Sequence, residues 1–307
     1  MTMEQILADI RSPRVKKVIH DADMGIEMDD QYALAFCLGA SDKIKLLSAQ
    51  ASTFGKGPEG DYTKGMEASY QEILRVLDVC GAKDKYPAYR GATRPMGFDE
   101  PVITDAARNI IRTSKEYPDE IIYVLATGCC TNVSSAFLTD PSIKENTVVI
   151  WLGGTNLEDD SELAEECNLA WDRIAGQYLM SLGVPLIYLP AYDHGTCVLE
   201  ITRETLNVGL PGDSRVARFF RDELPDKYSK EAYYVNGFWK RILFDVAAPA
   251  VLTNPEAYDF RVIPAPVITD DGKYAFDCTR HEIIYLEKME KEPVIEATWE
   301  YIRRLCH

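Results

Sequence analysis

The chain has 307 residues, with 49 acidic against 33 basic side chains and a formal net charge of −16. A surface this acidic repels phosphate backbones and anionic lipid, so nucleic acid and membrane surfaces are excluded as expected partners. Apolar residues make up 46% and charged residues 27%, the balance of a globular enzyme with a sizeable core.

In chain order, the N-terminus is polar and charged, without the apolar run of a signal peptide. No segment approaches the roughly 18 apolar residues of a membrane span. A cytoplasmic protein is expected. Short apolar runs at residues 15–20, 44–52, 121–126, 147–152 and 185–190 have the length and β-branched content of buried strands. Between them, residues 30–38, 65–79, 104–115, 133–138 and 171–182 predict helices. In 65–79, Ile73, Leu74, Val76 and Leu77 recur among charges, as one buried face requires. Strand and helix in alternation predict an α/β fold: a doubly wound, mostly parallel central sheet with helices on both faces.

The last third reads differently. Residues 215–224 and 238–252 look helical, 261–268, 274–277 and 282–287 look like strands, and 295–305 reads as a closing helix. Asp270-Asp271-Gly272 is a hairpin turn signal. This tail is expected to decorate the sheet edge. Without repeats or a Pro/Ser-rich linker, residues 1–307 read as a single domain. Eight scattered cysteines without zinc-type spacing read as buried free thiols in a reducing cytosol.

The most informative stretch follows the first strand. Asp21-Ala22-Asp23-Met24-Gly25-Ile26-Glu27-Met28-Asp29-Asp30 packs five carboxylates into ten residues ahead of an apolar helix. In a parallel α/β sheet, ligands bind beyond the carboxyl ends of the strands. So much negative charge on one loop is costly unless a cation neutralises it. Oxygen-only ligands favour a hard cation, Ca²⁺ or Mg²⁺, over zinc. A solvated acidic loop with a helix cap at Asp29 or Asp30 is the plainer reading. An Asp-x-Asp at the end of a first strand also opens phosphotransferases that use the first aspartate as nucleophile. Here Met24 and the Asp29-Asp30 pair depart from that pattern.

The same residues, with Ala33-Leu34-Ala35 after them, resemble the N-terminal signature of the inosine–uridine-preferring nucleoside hydrolases, Asp-x-Asp-Pro-Gly-x-Asp-Asp. This chain carries the longer form, with two extra residues before the aspartate pair and Met24 in place of proline. Gly128-Cys129-Cys130-Thr131-Asn132 is similar to the family's Gly-Pro-Leu-Thr-Asn, Leu152-Gly153-Gly154 to its Met-Gly-Gly, and Glu166-Cys167-Asn168 to its Glu-Phe-Asn. Phe244-Asp245-Val246-Ala247-Ala248 is similar to its late His-Asp-Pro-Leu-Ala. Five motifs in order are hard to obtain by chance.

Carried over residue by residue, the resemblance implies Ca²⁺ held by Asp23, Asp30, the backbone carbonyl of Thr131 and Asp245. Asp23 would be the general base on a metal-bound water. Asp29 would accept from a ribose hydroxyl, and Glu166 and Asn168 would bind the remaining sugar hydroxyls. The implied activity is hydrolysis of the N-glycosidic bond of a ribonucleoside, in a homodimer or homotetramer. A catalytically weak ribose- or ribonucleoside-binding protein of the same fold is the alternative.

Three positions depart from the family. Phe244 stands where purine-active members often place a histidine, and His194 is the nearest other histidine in a motif-like loop. Lys56 replaces an asparagine after the second strand and would face the ribose or an anionic group. Asp160, with Asn156 nearby, stands where a further asparagine is expected to reach the 5′ end of the sugar. Trp239, in an aromatic stretch before Asp245, is a candidate to stack on the base.

Overall fold

Successive residues of the apolar runs point to opposite sides of a pleated strand, and here both sides are covered. The computed structural model describes residues 1–55, 61–161, 163–192, 195–229, 233–235 and 237–307. The first half supplies strands β1 (Lys16–Ala22), β2 (Ile44–Ala51), β3 (Ala88–Tyr89), β4 (Ile122–Ala126), β5 (Thr147–Leu152) and β6 (Leu186–Leu189). Val18, Tyr123, Leu125, Val148, Ile150, Ile187 and Leu189 pack into one buried cluster. Their neighbours Ile19, Ile122, Val124, Val149, Trp151, Leu186 and Tyr188 pack into the other. Each fully buried aliphatic side chain contributes about 1.5–3 kcal/mol.

Helices close both faces. On the first lie α1 (Met3–Arg11), α2 (Asp29–Gly39) and α3 (Tyr62–Val79). On the second lie α4 (Asp105–Glu116), α5 (Thr131–Thr139) and, after the short α6 (Cys167–Ala170), α7 (Arg173–Ser181). Every residue of α2 is buried, because the C-terminal helix Lys291–Arg303 and the segment after residue 243 cover its outer side. An apolar sequence all round the helix is what that position requires.

The later strands are β7 (Glu200–Thr202), β8 (Tyr233–Val235), β9 (Phe238–Ile242), β10 (Tyr258–Pro264), β11 (Val267–Ile268), β12 (Tyr274–Ala275) and β13 (Glu282–Met289). The main sheet runs β10-β13-β6-β5-β4-β1-β2-β3. All its pairings are parallel except β10 against β13. The expected doubly wound, mostly parallel sheet is therefore present. From β1 the chain first builds outward through β2 and β3, then returns to β4 on the other side of β1. The order reverses between β1 and β4, and a crevice opens at such a switch point.

The tail corrects the sequence reading in two places. β13 continues the main sheet in parallel beside β6, so the tail supplies sheet as well as edge. Residues 238–252 are not one helix: β9 is followed by a 3₁₀ turn at Phe244–Val246 and a helix only from Ala247 to Thr253. β9 finds its partners in β7 and β8, forming a separate three-stranded sheet. No helix among the described residues is long and apolar enough to cross a membrane. The cysteines are free, but Cys167 and Cys278 are exposed rather than buried.

Candidate active site

The crevice at the β1–β4 switch point is a cleft of about 100 Å³ lined by Asp23, Asp29, Asp30, Thr127, Glu166, Asn168 and Asp245, among others. Asp23 arrives directly from the end of β1, and Gly25 turns the loop with φ +112°, a conformation that favours glycine. Asp29 and Asp30 then open α2, where the helix dipole favours negative charge. Asp245 comes from the far end of the chain, on the 3₁₀ turn after β9.

Gly128 makes the approach of Asp23 possible. A β-carbon there would lie 3.0 Å from both Cβ and Cγ of Asp23 and 3.1 Å from Cβ of Ser52. Thr127, just before it, donates its hydroxyl to Asp30 Oδ1 at 2.8 Å. Asn168 donates Nδ2 to the carbonyls of Thr127 and Leu152 at 3.2 and 2.9 Å, tying the ends of β4 and β5 together. Glu166 caps α6 by accepting the amides of Asn168 and Leu169 at 3.0 Å each, and it also accepts the amide of Gly154 at 2.5 Å.

The four aspartates face one another. Oxygens of Asp29, Asp30 and Asp245 lie within 4.8 Å of one another, and Asp30 is within hydrogen-bonding reach of both Asp23 and Asp245. All four are buried, and Asp23 Oδ2 has no hydrogen-bond partner. Burial pushes Asp29 and Asp30 up to about 6, Asp29 also through repulsion by Asp30. Burial and the neighbouring aspartates hold Asp23 and Asp245 well above the usual carboxylate range. Glu166 is pushed up to about 6 by burial, against the three amides that favour its charged form. Four carboxylates with few donors among them are compatible with a metal ion, which would stabilise all of them in the ionised form.

The other candidates lie elsewhere. Thr131 is the first residue of α5, and its hydroxyl donates to Asp172 at 2.5 Å. It is not on the cleft wall, where Thr127 stands instead. Trp239 is also off the wall; its ring lies under the Arg203 guanidinium, 4.6 Å away. Asp160 accepts from the Tyr274 amide at 2.9 Å and from Lys273 at 3.1 Å, holding the β11–β12 hairpin. Asn156 caps its own loop, accepting the amides of Glu158 and Asp159 at 2.9 and 2.7 Å. Lys56 and His194 lie outside the described residues. Phe244 does line the cleft.

Sequence reasoning missed Thr127, Trp171, Tyr192, Ile26, Glu27, Cys167, Leu152 and Ala191 as wall residues. Thr127 carried a usable signal, since it directly follows the strand that ends at Ala126. Trp171 and Tyr192 carried none, because only the fold brings them to the crevice.

This geometry meets a consistent set of likenesses. The model of the inosine-uridine preferring nucleoside hydrolase family matches residues 18–297. A solved plant nucleoside hydrolase is 19% identical, with a TM-score of 0.74 over 95% of this chain and 99% of its own. A purine-preferring ribonucleoside hydrolase from Gardnerella vaginalis is 18% identical, with a TM-score of 0.75 over 95% of this chain and 99% of its own. An uncharacterized Schizosaccharomyces pombe protein is 25% identical over 199 residues, 57% of this chain; the match spans 60% of that relative's length.

The family match thus defines the class, hydrolases acting on N-glycosyl compounds. The chain belongs to the inosine-uridine preferring nucleoside hydrolase family, which is metal-dependent and takes nucleoside substrates.

Proposed function

We propose that the protein hydrolyses the N-glycosidic bond of a ribonucleoside with Ca²⁺ as cofactor, and that the described chain works as one catalytic domain. The observation that carries this reading is the convergence of Asp23, Asp29, Asp30 and Asp245, with a buried Asp23 oxygen left without a donor. Their all-oxygen donor set fits a hard cation. Asp23, Asp30 and Asp245 would hold the ion; when bound, it lowers the pKa of a water and gathers ribose hydroxyls. Thr127 keeps Asp30 turned toward it.

The chain's own residues account for the rest. Asp23 takes the proton of the attacking water as general base. Asp29 accepts from a ribose hydroxyl. Both Glu166 oxygens are fixed by backbone amides, so the carboxylate presents its remaining lone pairs in one orientation. The Nδ2 of Asn168 is committed to two carbonyls, which directs its Oδ1 to the sugar. As the C1′–N bond lengthens, the sugar gains oxocarbenium character, and the buried carboxylates stabilise that charge.

Ribose release from inosine, uridine, cytidine and adenosine, with and without EDTA, tests the reading. Release from at least one riboside, abolished by EDTA and restored by Ca²⁺, is expected. No release from metal-replete protein would refute it.

A further inference from the structure

Glu27 lies on the loop that delivers Asp23, Asp29 and Asp30, four residues after the first and two before the second. This loop is two residues longer than the family signature. Met24 and Met28 anchor it by burial, but Met28, at the N-cap of α2, makes no side-chain bond to the helix. Glu27 is half-buried on the cleft wall and reaches across to Arg241, whose Nη2 donates to its Oε2 at 2.6 Å. Arg241 stands on β9, four residues before Asp245.

Side chains alternate along β9, and the alternation separates its two cations. Lys240 points to one face and pairs with Glu200 of β7 at 2.6 Å, so this pair ties the small sheet to itself. Arg241 points to the other face, with only 6% of its side chain exposed, and pairs outside the sheet. A guanidinium this buried is costly unless an acid meets it. Its bond to Glu27 spans 214 positions of sequence and joins the two segments whose aspartates must meet.

Resting on the metal-dependent hydrolase reading above, we propose that Glu27 and Arg241 are positioning residues. They hold the loop between β1 and α2 against the β9 segment, so that the cation site is assembled before the ion arrives. Fixing a long loop costs conformational entropy. The pair meets that cost in the folded protein, ahead of binding. Without it, apparent affinity for the ion falls by the fraction of molecules in which the two segments are in register. At saturating Ca²⁺ the segments are held together in any case, so kcat is spared.

The test is calorimetric titration of Ca²⁺ into metal-stripped full chains, with Tm and ribose release from uridine or inosine measured beside it. Glu27→Ala is expected to weaken Ca²⁺ binding about tenfold, as loss of a group that orients metal ligands does. The Tm of its metal-free form should stay nearly unchanged, and kcat should recover at saturating Ca²⁺. On an Arg241→Met background, Glu27→Ala should add little, because the pair is already broken. Lys240→Ala, which breaks the pair inside the small sheet, should leave the affinity as it was. Unchanged affinity in Glu27→Ala, an equal loss in Lys240→Ala, or a full loss on the Arg241→Met background overturns the proposal. Ca²⁺ uptake by the unsubstituted chain would still leave the hydrolase reading standing. Should Arg241→Met fail to fold, Glu27→Ala and Lys240→Ala decide the question between them. An unsubstituted chain that takes up no Ca²⁺ sinks both.

Discussion

Asp21 and Asp23 stand two residues apart at the end of one strand, yet they meet opposite surroundings. Asp21 Oδ2 accepts amide hydrogens from Gln50 at 2.7 Å and Asn132 at 3.0 Å, although its Oδ1, like Asp23 Oδ2, is buried without a hydrogen-bond partner. Asn132 also donates to the carbonyl of Ala51 and accepts from Ala92 and Thr104, so the aspartate is built into a polar brace behind the cleft. Asp23 faces Asp30, with Asp29 and Asp245 close by. Both side chains are buried, and burial raises both, Asp21 to about 7. A carboxylate met by amides is a structural part. One met by other carboxylates is costly to ionise unless a cation is shared among them.

The comparison breaks most sharply by mutation. Asp23→Asn should lower kcat by about 10²–10⁴-fold, the range for loss of a general base. If it kept the full rate with Ca²⁺ bound, the contrast with Asp21 would be wrong. Gly128→Ala removes no carboxylate but crowds Asp23. A misplacement of this kind is expected to cost about a hundredfold in kcat, with Ca²⁺ affinity measured alongside.

Acidity sharpens the same point. Asp29 and Asp30 are raised in the fold to about 6, from about 4 in an unfolded chain. The unfolded chain therefore gives up these protons first, and their contribution to stability is lost as pH rises through about 6. Metal-free protein should lose on the order of 2 kcal/mol per group between pH 4 and 7. Ca²⁺ reverses the loss by binding the ionised form, so its shift of Tm should be larger at pH 7 than at pH 5. An equal shift at both would contradict the assignment. The smallest effect belongs to the brace: Asp21→Asn should change stability by about 1 kcal/mol and retain most of the activity, as urea melts and steady-state rates would show.

Much of this arrangement was legible in the sequence. The strands that carry Asp23 and Thr127 announced themselves as short β-branched runs, and the winding order they imply puts a crevice between them. Asp23, Asp29, Asp30, Glu166, Asn168 and Asp245 do share one cleft. What the sequence did not show was decided by distant partners. Residues 238–242 have helix-compatible spacing, but Glu200–Thr202 offers them a strand to pair with. Trp239 looked free to stack on a base until Arg203 was seen to cover it. Asp160 serves the β11–β12 hairpin for the same kind of reason, since Lys273 and the Tyr274 amide lie more than a hundred residues away in sequence. Thr131 is expected at the ion through its backbone carbonyl; its hydroxyl binds Asp172, and the hydroxyl that reaches Asp30 belongs to Thr127.

The most direct measurement is calorimetric titration of Ca²⁺ into EDTA-stripped, desalted protein near pH 6.5. One saturable site per chain, accompanied by net proton release and weakened in Asp30→Asn, is the expected result. Heats no larger than dilution up to millimolar Ca²⁺ would mean that the four facing aspartates hold protons instead of a cation.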